Sequence, residues 1–364
     1  MLRIVLFIII LLHALIHFMG FTKAFGYGNM QQLKLPISKT TGLLWLAIAF
    51  LFIIAAVLFL QHKQGWWMVA IPTAILSQII ITMSWQDAKA GTIANIIILI
   101  AAFLSFTSYR FENTFKKDVK KNLEQNNALT KELLTTQDLT HLPLPVQKYL
   151  HYTGVVNKPK VKSVRVVFEG QMRDKGKDYF PFLSEQYNFF NEPTRLFFMK
   201  AKMFGVTVPG YHHYIKANAV MDIRLFGLFP VVQKSGAVMN KTETVTLFND
   251  MCLLAPATLI DKRIQWLPIN DTSVTAIFTN HDITITANLF FNQQGQLVNF
   301  ISNDRVSVNE MKAFPFSTPV ASYKNVNGYT IMSVAEAVWH YENGAFTYGK
   351  FNLLEVEYNV QSFK

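Results

Sequence analysis

Ile283-Thr284-Ile285-Thr286-Ala287-Asn288-Leu289-Phe290-Phe291 carries an apolar side chain at every second position: Ile283, Ile285, Ala287, Leu289 and Phe291. Successive side chains on a strand point to opposite faces, so this spacing puts all five on one face. The segment reads as a half-buried antiparallel strand. Val274, Ala276 and Phe278 repeat the pattern upstream. In Val164–Met172, the apolar Val164, Val166, Phe168 and Met172 alternate with Arg165, Glu169 and Gln171, and Arg173 follows. Turn-forming clusters separate such runs: Asn270-Asp271, Asn280-His281-Asp282, Gln293-Gln294-Gly295 and Asn325-Val326-Asn327-Gly328. From Val161 onward the pattern predicts about ten to twelve strands. One helical interval interrupts them near Asn240–Leu254 and is followed by Ala255-Pro256. The fold predicted for 142–364 is mostly β: a large curved antiparallel sheet, a half-barrel or barrel, with one or two covering helices.

Upstream of the strands the period becomes helical. Pro145 suits the first turn of a short helix, Val146–Tyr152, ended by Gly154. Residues 110–141 form a juxtamembrane linker in which Phe111, Phe115, Val119 and Leu123 recur every fourth position. That stripe predicts a helix that continues out of the bilayer or lies along its surface. Lys116–Lys121 would then sit at headgroup level or form a solvated face.

Residues 1–109 hold four apolar stretches: about Ile4–Met19, Leu43–Leu60, about Trp66–Met83 and about Thr92–Phe106. Roughly 20 mostly apolar residues cross a bilayer as a helix, so a four-helix transmembrane region is predicted. Arg3 and Ile4–Leu12 have the look of a cleaved signal peptide, but the run continues through His13 to Met19 without an A-x-A site. A retained helix is the expectation. Trp45, Trp66, Trp67 and Trp85 lie near the boundaries, where interfacial aromatics belong. Trp85–Lys89 reads as a polar turn in which Asp87 and Lys89 neutralise each other. Four crossings put both termini on one side, with seven basic residues (Arg3, Lys63, Arg110, Lys116, Lys117, Lys120, Lys121) against four (Lys23, Lys34, Lys39, Lys89) on the other. The positive-inside rule then predicts a multi-pass protein of the bacterial cytoplasmic membrane with the C-terminal domain in the cytoplasm.

The composition agrees with that class. The chain of 364 residues is 51% hydrophobic and 16% charged, against about 25% charged for a soluble domain. Cys252 is the single cysteine, which excludes a disulfide scaffold. The net charge of +11 is spread over the chain, whereas a nucleic-acid binder concentrates it. The partners this predicts are the lipid bilayer, a lipid or other hydrophobic small molecule and a membrane-protein partner, with no nucleic acid.

Catalytic signatures are missing: there is no phosphate-binding glycine loop, nucleophile elbow, H-E-x-x-H or C-x-x-C. No cofactor and no metal are expected. His13 and His17 share a helix face, which suits a metal or proton site, or hydrogen bonding between helices. Ser77, Gln78, Thr92 and Asn95 could pair in the same way. His212 and His213 are adjacent on a strand and face opposite ways. Glu355 and Glu357 share a face, as do His340 and Glu342; an acid/base pair or a polar outer face explains either. Arg165, Arg173, Arg195, Arg224 and Arg305 could bind an acidic headgroup if the fold brings them together. Two segments are unusually apolar, Leu196–Met199 with Met203–Val206, and Leu225–Val232. Phe and Met make adaptable surfaces for lipid-like ligands, although plain core strands read the same way. The candidate ligand contacts are Phe197, Met199, Met203, Phe204, Phe226 and Phe229, with Arg165 and Arg173 as cations.

The run Leu144-Pro145-Val146-Gln147-Lys148-Tyr149-Leu150-His151-Tyr152-Thr153-Gly154-Val155-Val156, with Gly170–Arg173, Phe182–Tyr187, Asp222–Val232, Glu243, Pro256–Thr258, Phe346–Tyr348 and Glu355–Tyr358, resembles an uncharacterised family of bacterial proteins. Leu15–Phe21 and Ser84–Asn95 resemble the membrane part of its extended version. That family implies no activity or catalytic residue. The strand-rich domain is also similar in architecture to the lipoprotein-sorting half-barrel carriers, which implies acyl-chain binding inside a curved sheet. The expected function is a membrane-anchored protein whose β-rich domain binds a lipid or hydrophobic ligand. A membrane-bound enzyme on a lipid-like substrate, or a sensor or assembly factor, is the alternative.

Overall fold

A computed structural model describes every residue except Met1, Asn29, Gln31, 127–131, Phe204 and 308–309. The chain divides into two compact units, Met1–Phe111 with Phe226–Leu228, and Glu112–Leu225 with Phe229–Lys364.

The first unit is helical: α1 (Leu2–Phe25), α2 (Lys39–Leu60), α3 (Trp67–Met83), α4 (Trp85–Ala88) and the start of α5 (Gly91–Gln125). With the 3₁₀ turn Gln64–Trp66 leading into α3, four helices are long and apolar enough to cross a membrane. Ser38 caps α2 by accepting the Thr41 N–H at 3.1 Å. Ile10, Ala14, Phe52, Ala70, Ala74 and Ile98 are buried within the bundle, while Ile4, Leu12, Leu43, Ile79 and Ile93 are exposed. Helices apolar on every side are the form a bilayer selects. Small residues set the α1–α2 approach: a Cβ on Gly20 would lie 2.2 Å from the Trp45 ring, and one on Gly42 2.3 Å from Ala24. The polar turn before α5 is helical, as α4. There Asp87 accepts the Leu35 N–H at 2.7 Å, and no Asp87–Lys89 ion pair forms among the described residues.

The linker stripe continues the fourth long helix. α5 runs unbroken to Gln125, and in the second unit Phe115, Val119 and Leu123 are buried. The Phe115 ring stacks on Phe198 at 5.3 Å and meets Tyr211 at 5.6 Å.

The short helix predicted next is α6 (Leu144–Tyr152), with Gly154 in the left-handed region beyond it. Six strands follow as a meander: β1 (Ser163–Met172), β2 (Phe180–Phe189), β3 (Thr194–Met203), β4 (Val206–Ile215), β5 (Asn218–Leu225) and β6 (Phe229–Ser235). α7 (Ala237–Leu254) separates them from β7 (Ile264–Asn270), β8 (Ser273–Asn280), β9 (Ile283–Phe291) and β10 (Leu297–Ser302). Then come β11 (Val306–Ser307), β12 (Lys312–Ala313), β13 (Phe316–Ser317), β14 (Val320–Val326), β15 (Tyr329–Tyr341) and β16 (Gly344–Tyr358). Fourteen strands form one open sheet in the order β6-β5-β4-β3-β2-β1-β16-β15-β13-β10-β9-β8-β7, with β14 beside β15; β11 and β12 pair separately. All the pairings are antiparallel. The count exceeds the periodicity estimate because β3 is apolar without alternation, β6 is mostly exposed, and two-residue strands carry no period.

The sheet is curved. Strands β4 and β8 are nine places apart in the order, about 43 Å in a flat sheet at roughly 4.8 Å per strand. Yet Asn280 of β8 donates to the Tyr214 hydroxyl of β4 at 2.7 Å. The sheet therefore wraps around α7, which touches β4, β5 and β6 on one flank and β9, β10 and β15 on the other. Beyond its exposed first turn, the helix is enclosed: Val245, Leu247, Phe248, Met251 and Leu254 are all buried. Phe248 stacks on Phe278 at 5.1 Å. The Tyr149 hydroxyl donates to the Cys252 carbonyl at 2.8 Å and the Tyr358 hydroxyl to the Leu254 carbonyl at 2.7 Å. These bonds satisfy carbonyls that the last turn of a helix leaves open.

Candidate functional site

Between α7 and the inner face of the sheet lies a cavity of about 180 Å³. Phe168 and Met172 of β1, Phe197 of β3, Met221 of β5, Phe316 of β13 and Phe351 of β16 supply apolar walls. Alternation along each strand turns them inward. Ala335 and Ala337 of β15 leave the space open, since their side chains end at Cβ.

One wall is polar. Arg195 of β3 is buried and donates to Asp250 at 2.8 Å, to Glu243 at 3.2 Å and to the Gln186 side-chain Oε1 at 3.0 Å. Gln186 and Asn188 of β2 also donate to Asp250, at 2.7 and 3.0 Å. Burial works against the guanidinium charge, but Asp250 and Glu243 outweigh it, so the Arg195 pKa rises above its ordinary value. Glu243 and Asp250 stand seven residues apart on α7, and the network fixes that helix against β2 and β3. Arg305 also lines the cavity and donates from Nη1 to the Tyr348 hydroxyl at 2.8 Å. Its guanidinium lies 4.0 Å from the Phe316 ring centre and 5.3 Å from that of Trp339. His212 of β4 also faces the cavity. Burial, with Arg195 and Arg305 nearby, pushes its pKa down to about 3, so the ring is neutral near pH 7. The buried His212 Nε2 and Arg305 Nε have no hydrogen-bond partner among the described residues.

The candidates read from the sequence are dispersed. Phe197 lines the cavity, with its ring centre 4.8 Å from the Arg195 guanidinium. Met199 is buried in the same core and Met203 packs against it, both away from the cavity lining. Phe204 lies outside the described residues. Phe226 takes a left-handed φ of 56° in the turn after β5, and Phe229 is exposed at the start of β6. Arg165 is held by Glu185 at 2.6 Å and Glu355 at 2.7 Å. Arg173 donates to the Thr347 carbonyl at 3.0 Å and lies over Tyr179 at 4.3 Å. Of the five arginines only Arg195 and Arg305 meet at the cavity; Arg224 pairs with Asp222 at 2.8 Å. Glu357 is bound by Lys364, His340 bonds Ser317 at 2.7 Å, and Glu342 faces Lys312 at 3.4 Å. His212 and His213 do face opposite ways, since His212 pairs with Phe197 and His213 with Leu196 across β3–β4.

The helical unit has its own polar cluster. His17 Nδ1 donates to the His13 carbonyl at 2.8 Å, which leaves Nε2 to accept from Ser77 at 3.0 Å. His13 Nε2 donates to Asn95 Oδ1 at 2.9 Å, and Asn95 donates to Ser77 and to Gln78, each at 3.0 Å. Both imidazoles thus join α1, α3 and α5. No group of three metal-ligating side chains occurs among the described residues.

Sequence spacing passed over Glu243, Asp250, Gln186 and Asn188. The seven-residue step on a helix otherwise rich in apolar residues is the one local sign that two carboxylates share a face.

No curated protein matches the chain. Among solved structures, an outer membrane lipoprotein-sorting protein domain from Vibrio parahaemolyticus is similar at 10% identity and a TM-score of 0.38, covering 60% of this chain and 93% of that one. A LolA superfamily protein from Nitrosomonas europaea is similar at 9% identity and a TM-score of 0.36, covering 59% and 94%. Residues 132–351, more than half of the sequence, match a family of unknown function, and the chain accordingly belongs to that family, DUF6544.

Proposed function

We propose that this is a membrane-anchored binding protein whose β-rich unit takes up a lipid-like or other hydrophobic ligand. The cavity carries this reading. Phe168, Met172, Phe197, Met221 and Phe351 line a void that neither α7 nor the sheet fills, and polar side chains, Arg195 and Arg305 among them, complete its lining. Apolar walls with a small number of fixed polar groups are the usual form of a small-molecule site. The four long apolar helices support a bilayer anchor. The excess of basic residues on the side of the termini, seven against four, supports a cytoplasmic position for the β-rich unit.

The test is native mass spectrometry of the full chain released from micelles, beside an Ala337→Trp variant. The expected result is a co-purifying mass on the parent protein, lost on denaturation and absent from the variant, whose indole would occupy the void. A folded parent with no added mass, and no uptake of offered lipid, would sink the proposal.

A further inference from the structure

Arg305 differs from the other arginine that lines the cavity, Arg195. Arg195 donates to Asp250, Glu243 and Gln186, two of them carboxylates. Arg305 has aromatic rings around it, one hydrogen bond to Tyr348, and no carboxylate within 4.0 Å among the described residues. Its Nε–H is buried and unpartnered, and so is His212 Nε2. Both atoms belong to side chains that line the same void. Desolvating a guanidinium N–H without an acceptor is unfavourable, and an oxygen entering the void would relieve it.

Size and charge narrow the class. A void of about 180 Å³ is slightly larger than the roughly 150 Å³ cavity that holds benzene. It takes a head group with a body of about six to eight carbons, and a longer tail must leave through the mouth. Glu243, Asp250 and Glu336 also line the void, so a dianionic phosphate would meet three carboxylates, and a single carboxylate suffers less repulsion. We propose that the cavity binds the carboxylate end of a small or chain-bearing apolar acid, with one oxygen on Arg305 Nε and His212 Nε2 at hydrogen-bonding distance. This inference rests on the binding reading above and adds the head group.

The test uses the full chain in phosphatidylcholine nanodiscs, with empty nanodiscs as blank. Binding of 4-fluorobenzoate, 4-fluorobenzyl alcohol and 4-fluorophenyl phosphate is followed by fluorine NMR titration. The carboxylate should bind at least about tenfold tighter than the alcohol or the phosphate, the scale of one hydrogen bond to a charged group. Arg305→Gln should abolish that preference while keeping the alcohol affinity within about twofold, and Arg173→Gln should change neither. If Arg305→Gln does not fold, the ligand series on the parent protein decides by itself. Equal binding of alcohol and carboxylate would overturn the head-group assignment and leave the hydrophobic site standing. Tighter binding of the phosphate would overturn the carboxylate class. Failure of all three compounds would overturn both readings.

Discussion

Replacing Arg195 by methionine removes the cation from a buried network and keeps most of the side-chain volume. Asp250 retains the amide donors of Gln186 and Asn188. Glu243, 4% exposed, loses its only side-chain hydrogen bond among the described residues. Breaking a buried pair from one side costs about 3–5 kcal/mol. For a unit of this size each kcal/mol lowers the melting temperature by about 2–4 °C, so Arg195→Met should melt about 6–20 °C below the parent. Adding Glu243→Gln and Asp250→Asn removes the stranded charges, and the triple variant should recover most of the loss. The assay is thermal unfolding of the full chain in detergent, followed by circular dichroism in the strand band. A single variant within about 2 °C of the parent, or a triple variant less stable than the single, would refute the claim that this network holds α7 in the sheet.

Tyr214→Phe should cost about 1–3 kcal/mol, because its hydroxyl joins β4 to Thr244 of α7 and to Asn280 of β8, both at 2.7 Å; chemical denaturation measures it, and a neutral result would argue that this contact between the flanks of the open sheet carries no weight. His212 gives a pH signature. Its folded pKa of about 3 lies below the ordinary 6.5, so the unfolded chain takes up a proton that the folded chain refuses. Its contribution is full above pH 6.5 and is lost as pH falls from 6.5 toward 3, by at most about 1.4 kcal/mol per pH unit. His212→Gln should flatten that part of the stability profile, and an unchanged slope would show that the imidazole is not held neutral. Ser77→Ala should destabilise the helical unit by about 0.6–2 kcal/mol, since Ser77 bonds both His17 and Asn95; denaturation in mixed micelles reads it, and no loss would mean that the cluster carries no weight.

Local periodicity decided much of this molecule. Leu43–Leu60 is apolar at every position and lies within α2. Ile283, Ile285, Ala287, Leu289 and Phe291 alternate along β9, and Phe111 to Leu123 mark a helical stripe; each pattern lies within one element, so neighbouring residues suffice to read it. The same logic fails where burial is not alternating. Phe197 and Phe229 look alike as members of apolar runs, yet one lines the cavity and the other is exposed. What separates them is the position of each strand in the sheet, and that follows from pairing between residues far apart in the chain. β1 joins β16, Val164 to Tyr358, and this closure makes one sheet of two meanders. Only then does the sheet wrap α7, and only then do Arg195 and Arg305 reach one void. Sequence by itself determined the long apolar helices and the strands whose side chains alternate. The tertiary structure decided which charges are paired and which donor is left open, because convergence depends on long-range register and curvature that no local window contains.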